Sequence, residues 1–356
     1  MAFQGTYGVH LPIHQPGWLD MSARRILELA RHAAGHGFDT IWVNDNFKAR
    51  HTFSLLAAIS VSCPINLATL VTDPYARNPM DLATAMGTVA ELLGERPLKI
   101  GISSGAWAIQ GALIERAKPL RSVEEAIGIA RRLLAGDEVP FADYPALAEY
   151  FHIKPGAKLK LQFRPGTPVS FWIPPKGPLM MKLTARQADG VIFNTYTEFA
   201  ALPHVRSGKL EQTIRTMEEQ RRDAGNASPL RRIFKLDISL AGEGEAARRF
   251  ARNFVSFQAA GDAARYRGVV PDEQLEALRT RYQSGGSIEQ SAQLVADELL
   301  DFAVLAGSPA DVRDRFAEYV DAADRLDFEQ VIIAVPVGPD PFEAIDLAHR
   351  ELIAKL

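Results

Sequence analysis

With a single cysteine, Cys63, in 356 residues, the chain has no intrachain disulfide, which agrees with a reducing compartment without requiring one. The thiol lies in the apolar stretch "LLAAISVSCPINLATLV", where a buried structural cysteine is expected rather than a nucleophile. Pro64 and Asn66 interrupt that stretch, leaving it too short to cross a bilayer. Neither sign of charge dominates: 40 Lys and Arg stand against 43 Asp and Glu, a net charge of -3. This excludes the basic excess typical of nucleic-acid or membrane-surface binders. The opening "MAFQGTYGVH" has no basic segment followed by an apolar one, so a cytoplasmic location is expected. No low-complexity tract or linker divides the chain.

What is present is alternation. Eight apolar or β-branched runs recur: "TYGVHLP", "TIWVND", "NLATLVT", "LKIGISS", "VSFWIPP", "GVIFNT", "IFKLDISLA" and "QVIIAVPV". Between them lie segments with apolar residues three and four apart, such as "SARRILELARHAAGHG" and "PMDLATAMGTVAELLG", each ending in glycine as helices do. Most runs are apolar on both faces, the pattern of a parallel sheet covered by helices. A doubly wound sheet usually carries a Gly-rich phosphate loop after its first strand, and "HLPIHQPGW" has none. The expected fold is therefore an α/β (β/α)8 TIM barrel, a single domain over 1–356. Insertions are expected at about 136–168 and 243–329, after the fourth and seventh strands. The first insertion contains "AEYFHIKPGAKLKLQF", which reads as an added hairpin, and the second has a Gly-Gly break at 285 and 286.

In such a barrel the chemistry sits where strands end. The second run delivers Asp45 and Asn46 there. After the third, "TDPYARNP" places Thr72, Asp73 and Tyr75 at the strand's end, while Asn78 and Pro79 read as a helix cap and first turn. After the fourth, "GISSGAW" is a small-residue loop, Ser103, Ser104 and Gly105 among it, that lets a ligand approach the backbone. In "PPKGPLMMKL", Gly177 and Pro178 open a helix whose first N–H groups suit an anion, with Lys176 adding charge beside them; the bland alternative is a turn with a solvated lysine. His10 and His14 flank the end of the first run. In an extended chain they are separated by roughly 13 Å, too far to share an ion, so no metal site is expected. His10 alone either packs in the core or points into the active face.

Six segments in order, "GFDTIWVNDNF" (37–47), "VTDPYARNP" (71–79), "LLGERPLKIGISSG" (92–105), "KPLRSVEEAIGIARRLLAGD" (118–137), "GPLMMKLTARQADGVIFN" (177–194) and "AGSPADV" (306–312), resemble the luciferase-like flavin-dependent oxidoreductases. The likeness is strongest to the branch containing coenzyme F420-dependent methylenetetrahydromethanopterin reductase. The resemblance implies a (β/α)8 barrel, homodimeric or larger, acting on a small molecule, with Asp45 beside a flavin or deazaflavin ring. It implies that Thr69, Leu70, Val71 and Thr72 support the ring by their backbone, with a non-proline cis peptide at Thr69–Leu70 or one residue on. The Gly177–Pro178 turn would hold the cofactor phosphate, aided by Ser103 to Gly105. The family's Asp-His pair after the second strand is Asp45-Asn46 here, and an amide does not titrate near neutral pH, so a mechanism needing that histidine as proton shuttle is disfavoured. The family's polar residue after the fourth strand has Gln110 as its nearest counterpart.

The expected activity is hydride transfer between bound F420 and a small organic substrate. Asp45 and Asn46 would position the reactants, His10 or Tyr75 would offer a proton, and Trp42, Trp107 and Trp172 would wall the pocket. The alternatives are an FMN-dependent monooxygenase and a flavin-binding protein without turnover. A metal-dependent hydrolase is disfavoured by the histidine spacing.

Overall fold

The computed structural model describes residues 3–13, 21–47, 49–105, 113–194, 200–285 and 287–356. All eight expected runs form strands: β1 (Thr6–Leu11), β2 (Thr40–Val43), β3 (Asn66–Thr72), β4 (Leu98–Ile102), β7 (Val169–Ile173), β8 (Gly190–Asn194), β9 (Arg231–Leu240) and β11 (Gln330–Val337). Three short strands join them: β5 (Val139–Pro140), β6 (Lys158–Leu159) and β10 (Leu305–Gly307).

The chain divides into two compact units, each discontinuous in sequence. The unit of residues 1–39, 193–216 and 232–356 has parallel strands in the order β10-β9-β11-β1. Residues 40–192 and 217–231 form the other, with parallel strands β2-β3-β4-β7-β8. Burial explains the apolar runs: all four residues of β2 and all five of β4 are buried, so both faces of these strands are covered, with Thr40 and Lys99 buried alongside the apolar side chains.

Helix periodicity is realised as the spacing predicts. Helix Ala23–Gly35 buries Ile26, Leu29, Ala30 and Ala33, and the Ser22 hydroxyl accepts from Arg25 N at 3.1 Å as its cap. A cap of this kind contributes about 1 kcal/mol. Helix Pro79–Leu93 begins at the expected place, with Asn78 Oδ1 accepting from Met80 N at 2.9 Å. Trp42 and Trp172 are wholly buried in the core. A Cβ on Gly190 would lie 2.1 Å from the Trp172 ring, which shows how tightly that indole is packed and corrects its reading as a pocket wall. Cys63 is partly exposed after helix Thr52–Ser60 rather than buried as expected.

The expected hairpin within 148–163 does not form. Pro145 starts a helix, Pro145–Tyr150, whose Ala146 and Leu147 N–H groups donate to the buried Glu125 carboxylate. That commits "AEY" to the helix, and Lys158–Leu159 pairs antiparallel with Val139–Pro140 instead. The second insertion holds helices Gly244–Gly261, Asp272–Gln283, Ile288–Ala292 and Asp297–Ala303 around a core of its own, including Phe254, Val255, Tyr266, Leu278, Leu299 and Leu300. Its last part, β10 and helix Pro309–Arg325, returns to the sheet beside β9. A capping box between Ser308 and Asp311 opens that helix.

Candidate active site

β2 stops at Val43, and two residues later the chain places Asp45, 6% exposed, against the end of β3. Asp45 Oδ2 accepts from Thr72 Oγ1 at 2.7 Å and from Arg77 Nη1 at 2.5 Å, while Oδ1 accepts from Arg77 Nη2 at 3.1 Å. The guanidinium thus grips both carboxylate oxygens, the geometry that makes such pairs strong and directional. Its flat face lies 5.2 Å from the Phe53 ring centre. Arg77 Nε donates to His51 Nε2 at 3.2 Å. Because arginine keeps that hydrogen, the neutral imidazole carries its own on Nδ1, where it donates to Ser54 Oγ at 2.9 Å. This tautomer excludes an N–H donation from Ser54 to the same Nδ1, although the 3.3 Å spacing would allow it.

The end of β3 is irregular. Its register against β4 shifts between Thr69 and Thr72, and the peptide bond Leu70–Val71 is cis, at the second of the two positions expected. Thr69 Oγ1 donates to Gly101 O at 2.8 Å, and Ser103 N donates to Thr72 O at 3.0 Å. Gly101 is required by contact: a Cβ there would stand 2.3 Å from Thr69 O. The loop Ser103 to Gly105 is half-buried, and Arg116 Nη1 donates to Gly105 O at 2.9 Å.

Asp73 Oδ1 accepts from Tyr75 N at 2.8 Å and Ala76 N at 2.9 Å, forming the turn that aims Arg77 back at Asp45. Tyr75 is buried, and its hydroxyl donates to Ala117 O at 2.9 Å rather than joining the Asp45 cluster. Burial raises its pKa, so the phenol keeps its proton at neutral pH. Asn46 is half-buried, and its carbonyl accepts from Ala49 N at 3.2 Å. Gly177, at φ 79°, caps helix Pro178–Gln187, and beyond its chain neighbours no atom lies within 4 Å of where its Cβ would be. The first-turn N–H groups have no partner within a helix, and exposed Lys176 adds positive charge beside them, so this terminus fits a phosphate. Gln110, His14 and Trp107 lie outside the described residues.

In the other unit, His10 is buried near the end of β1. Val9 pairs with Ile333, and Asp237 with Ala334, so His10 and Asp237 sit at one level on either side of β11 and share a face of the sheet. Lys235 Nζ donates to Asp237 Oδ1, both groups being buried. Burial pushes the Asp237 carboxyl up to about 6 against the opposing pull of Lys235. With the folded pKa above the unfolded value, protons bind the native state more tightly, so stability at this group falls as pH rises from about 4 to about 6. The stability of the wild type relative to Asp237→Asn is therefore expected to decline across that window and stay level outside it. Urea midpoints at a series of pH values check this, and a flat difference contradicts it.

Arg77 and His51 were not singled out among the sequence candidates, and neither were Lys235 and Asp237. Arg77 stood in the quoted "TDPYARNP", but its importance depends on a carboxylate 32 residues upstream.

Parallel strands alternating with helices, with paired polar side chains gathered beyond strand C-terminal ends, define a barrel-type α/β enzyme scaffold. The family described as luciferase-like monooxygenase matches residues 6–326, and the chain belongs to that family. It is 29% identical to 5,10-methylenetetrahydromethanopterin reductase of Archaeoglobus fulgidus over 346 residues, 95% of this chain and 97% of that one. It is 32% identical to F420-dependent glucose-6-phosphate dehydrogenase of Mycobacterium tuberculosis over 207 residues, 52% of this chain and 59% of that one. Among solved structures, the coenzyme F420-dependent tetrahydromethanopterin reductase from Methanopyrus kandleri superposes with a TM-score of 0.77 at 21% identity, covering 99% of both chains. The fold is the expected (β/α)8 barrel. Among the described residues, no helix is long and apolar enough to cross a membrane.

Proposed function

We propose that the protein is an F420-dependent oxidoreductase that moves a hydride between the bound deazaflavin and a small organic substrate. The observation that carries this reading is end-to-end similarity to a methylenetetrahydromethanopterin reductase, joined by partial similarity to an F420-dependent dehydrogenase. F420, when bound, supplies the hydride-carrying ring; the chain supplies binding, orientation and exclusion of water.

Asp45, fixed by Arg77 and Thr72, gives the ring's surroundings a carboxylate that does not swing. The backbone from Thr69 through Leu70 and Val71 to Thr72 supports the ring, and Ser103, Ser104 and Gly105 border it. Lys176, Gly177 and Pro178 hold the phosphate at the helix N-terminus. Asn46 orients a reactant by hydrogen bonds and carries no proton to the reaction. Tyr75, protonated at neutral pH, would offer a proton to the substrate only by giving up its bond to Ala117 O. The enzyme works in the cytoplasm as a homodimer or larger assembly, on a small molecule and without nucleic acid.

The family's description favours one other reading, an FMN-dependent monooxygenase. Oxygen uptake separates the two, since reduced deazaflavins react poorly with oxygen. With excess reduced FMN and candidate substrates, the protein is expected to consume no oxygen above the protein-free rate. Substrate-dependent uptake would establish the monooxygenase reading instead.

A further inference from the structure

In the unit that contains β1, two histidines and an aspartate converge on one point. His32 and His36 stand four residues apart at the C-terminal end of helix Ala23–Gly35, the spacing that puts two imidazoles on one helical face. Asp346 reaches them from helix Pro341–Leu347, with Oδ1 at 2.7 Å from His32 Nε2 and 3.0 Å from His36 Nε2. All three residues belong to the same unit. They are only partly exposed, with side-chain exposures of 27%, 26% and 36%.

Proton placement gives this cluster its meaning. His36 Nδ1 lies 2.9 Å from His32 O, and a carbonyl has no hydrogen to give, so Nδ1 carries the ring proton. In the neutral ring Nε2 then presents a lone pair to Asp346 Oδ1, which is itself an acceptor. Two acceptors at 3.0 Å repel unless something positive lies between them, either a second proton on the ring or a metal ion. A ring oriented through Nδ1–H to a backbone carbonyl, with Nε2 aimed outward, is also how metal-binding histidines are held.

We propose that His32, His36 and Asp346 form a structural site for a divalent transition metal, with zinc as the expected ion. Two imidazole nitrogens and one carboxylate oxygen suit zinc, water filling the remaining position. Tetrahedral ligands at about 2.0–2.1 Å from zinc stand about 3.3 Å apart, so the present spacing opens by a few tenths of an ångström. His349 packs edge to face against His36, with ring centres 5.3 Å apart. The ion would staple the unit's first helix to Pro341–Leu347. The site is independent of the proposed activity.

The test is zinc titration of tag-free, chelator-stripped full-length protein in competition with a chromophoric chelator, alongside His36→Gln and Asp346→Asn. One equivalent is expected in the wild type, with affinity at least about tenfold weaker in each variant. Zinc should raise the wild-type Tm and leave both variants unmoved, and circular dichroism verifies that each variant folds. If either variant fails to fold, His32→Gln takes its place. Wild-type binding no tighter than in the variants, or a Tm insensitive to zinc, would show a histidine–carboxylate ion pair only and overturn the proposal.

Discussion

Replacing Asp45 by alanine is expected to lower the stability of the protein by about 3–5 kcal/mol and to abolish cofactor binding. The loss follows from what the carboxylate leaves behind. The Arg77 side chain is 11% exposed, and its two terminal nitrogens both bond Asp45, so truncation leaves a largely buried guanidinium without its carboxylate, holding only the bond from Nε to His51. Thr72 Oγ1 loses its acceptor as well. Asp45→Asn keeps the shape and one acceptor oxygen while removing the charge, so it should cost less stability yet still weaken cofactor binding. Urea denaturation of both variants checks the order. A loss below about 1 kcal/mol in the alanine variant would put the pair in the range of surface ion pairs and contradict this account.

Gly101→Ala is expected to be the most damaging single-methyl change near the site. The added Cβ would meet Thr69 O at 2.3 Å and Val71 Cγ1 at 2.9 Å. A flexible side chain would yield, but the carbonyl belongs to the irregular end of β3, held in place by the Thr69 hydroxyl's bond to Gly101 O. The strand must move, and overpacking of this kind costs about 1–3 kcal/mol. Because the displaced backbone is the segment assigned to the ring, cofactor affinity should fall further than stability does. By comparison, the nearest atoms to a Cβ at Gly190 all belong to the Trp172 ring in the core, so Gly190→Ala should cost stability with little effect on cofactor affinity. Equal losses of affinity in the two variants would remove the special role given to β3.

Local features were legible in the sequence because their causes are local. Apolar runs buried on both faces marked all eight long strands, Asn78 and Pro79 marked a helix start, and the irregular end of β3 lay within the residues named for it. Long-range pairings were not. Asp45 was visible as a carboxylate after a strand, but Arg77, which fixes it, lies 32 residues on, and His51 matters only because Arg77 reaches it. Lys235 and Asp237 were hidden in the run "IFKLDISLA", whose apolar neighbours carried the strand reading. Tyr75 was marked as polar at the strand's end, yet its hydroxyl bonds a backbone carbonyl 42 residues away. Trp42 and Trp172 misled for a related reason: an indole beside a strand end reads the same whether it faces a ligand or the core. His32 and His36 had a readable spacing, but Asp346 is more than three hundred residues further along.

The central claim is that the cluster around Asp45 belongs to a deazaflavin site. Equilibrium titration of purified protein with F420 and with FMN, followed by fluorescence quenching in the wild type and in Asp45→Asn, tests it most directly. F420 is expected to bind more tightly than FMN, and its affinity to fall in the variant. Tighter binding of FMN, or F420 affinity unchanged by the substitution, would contradict it.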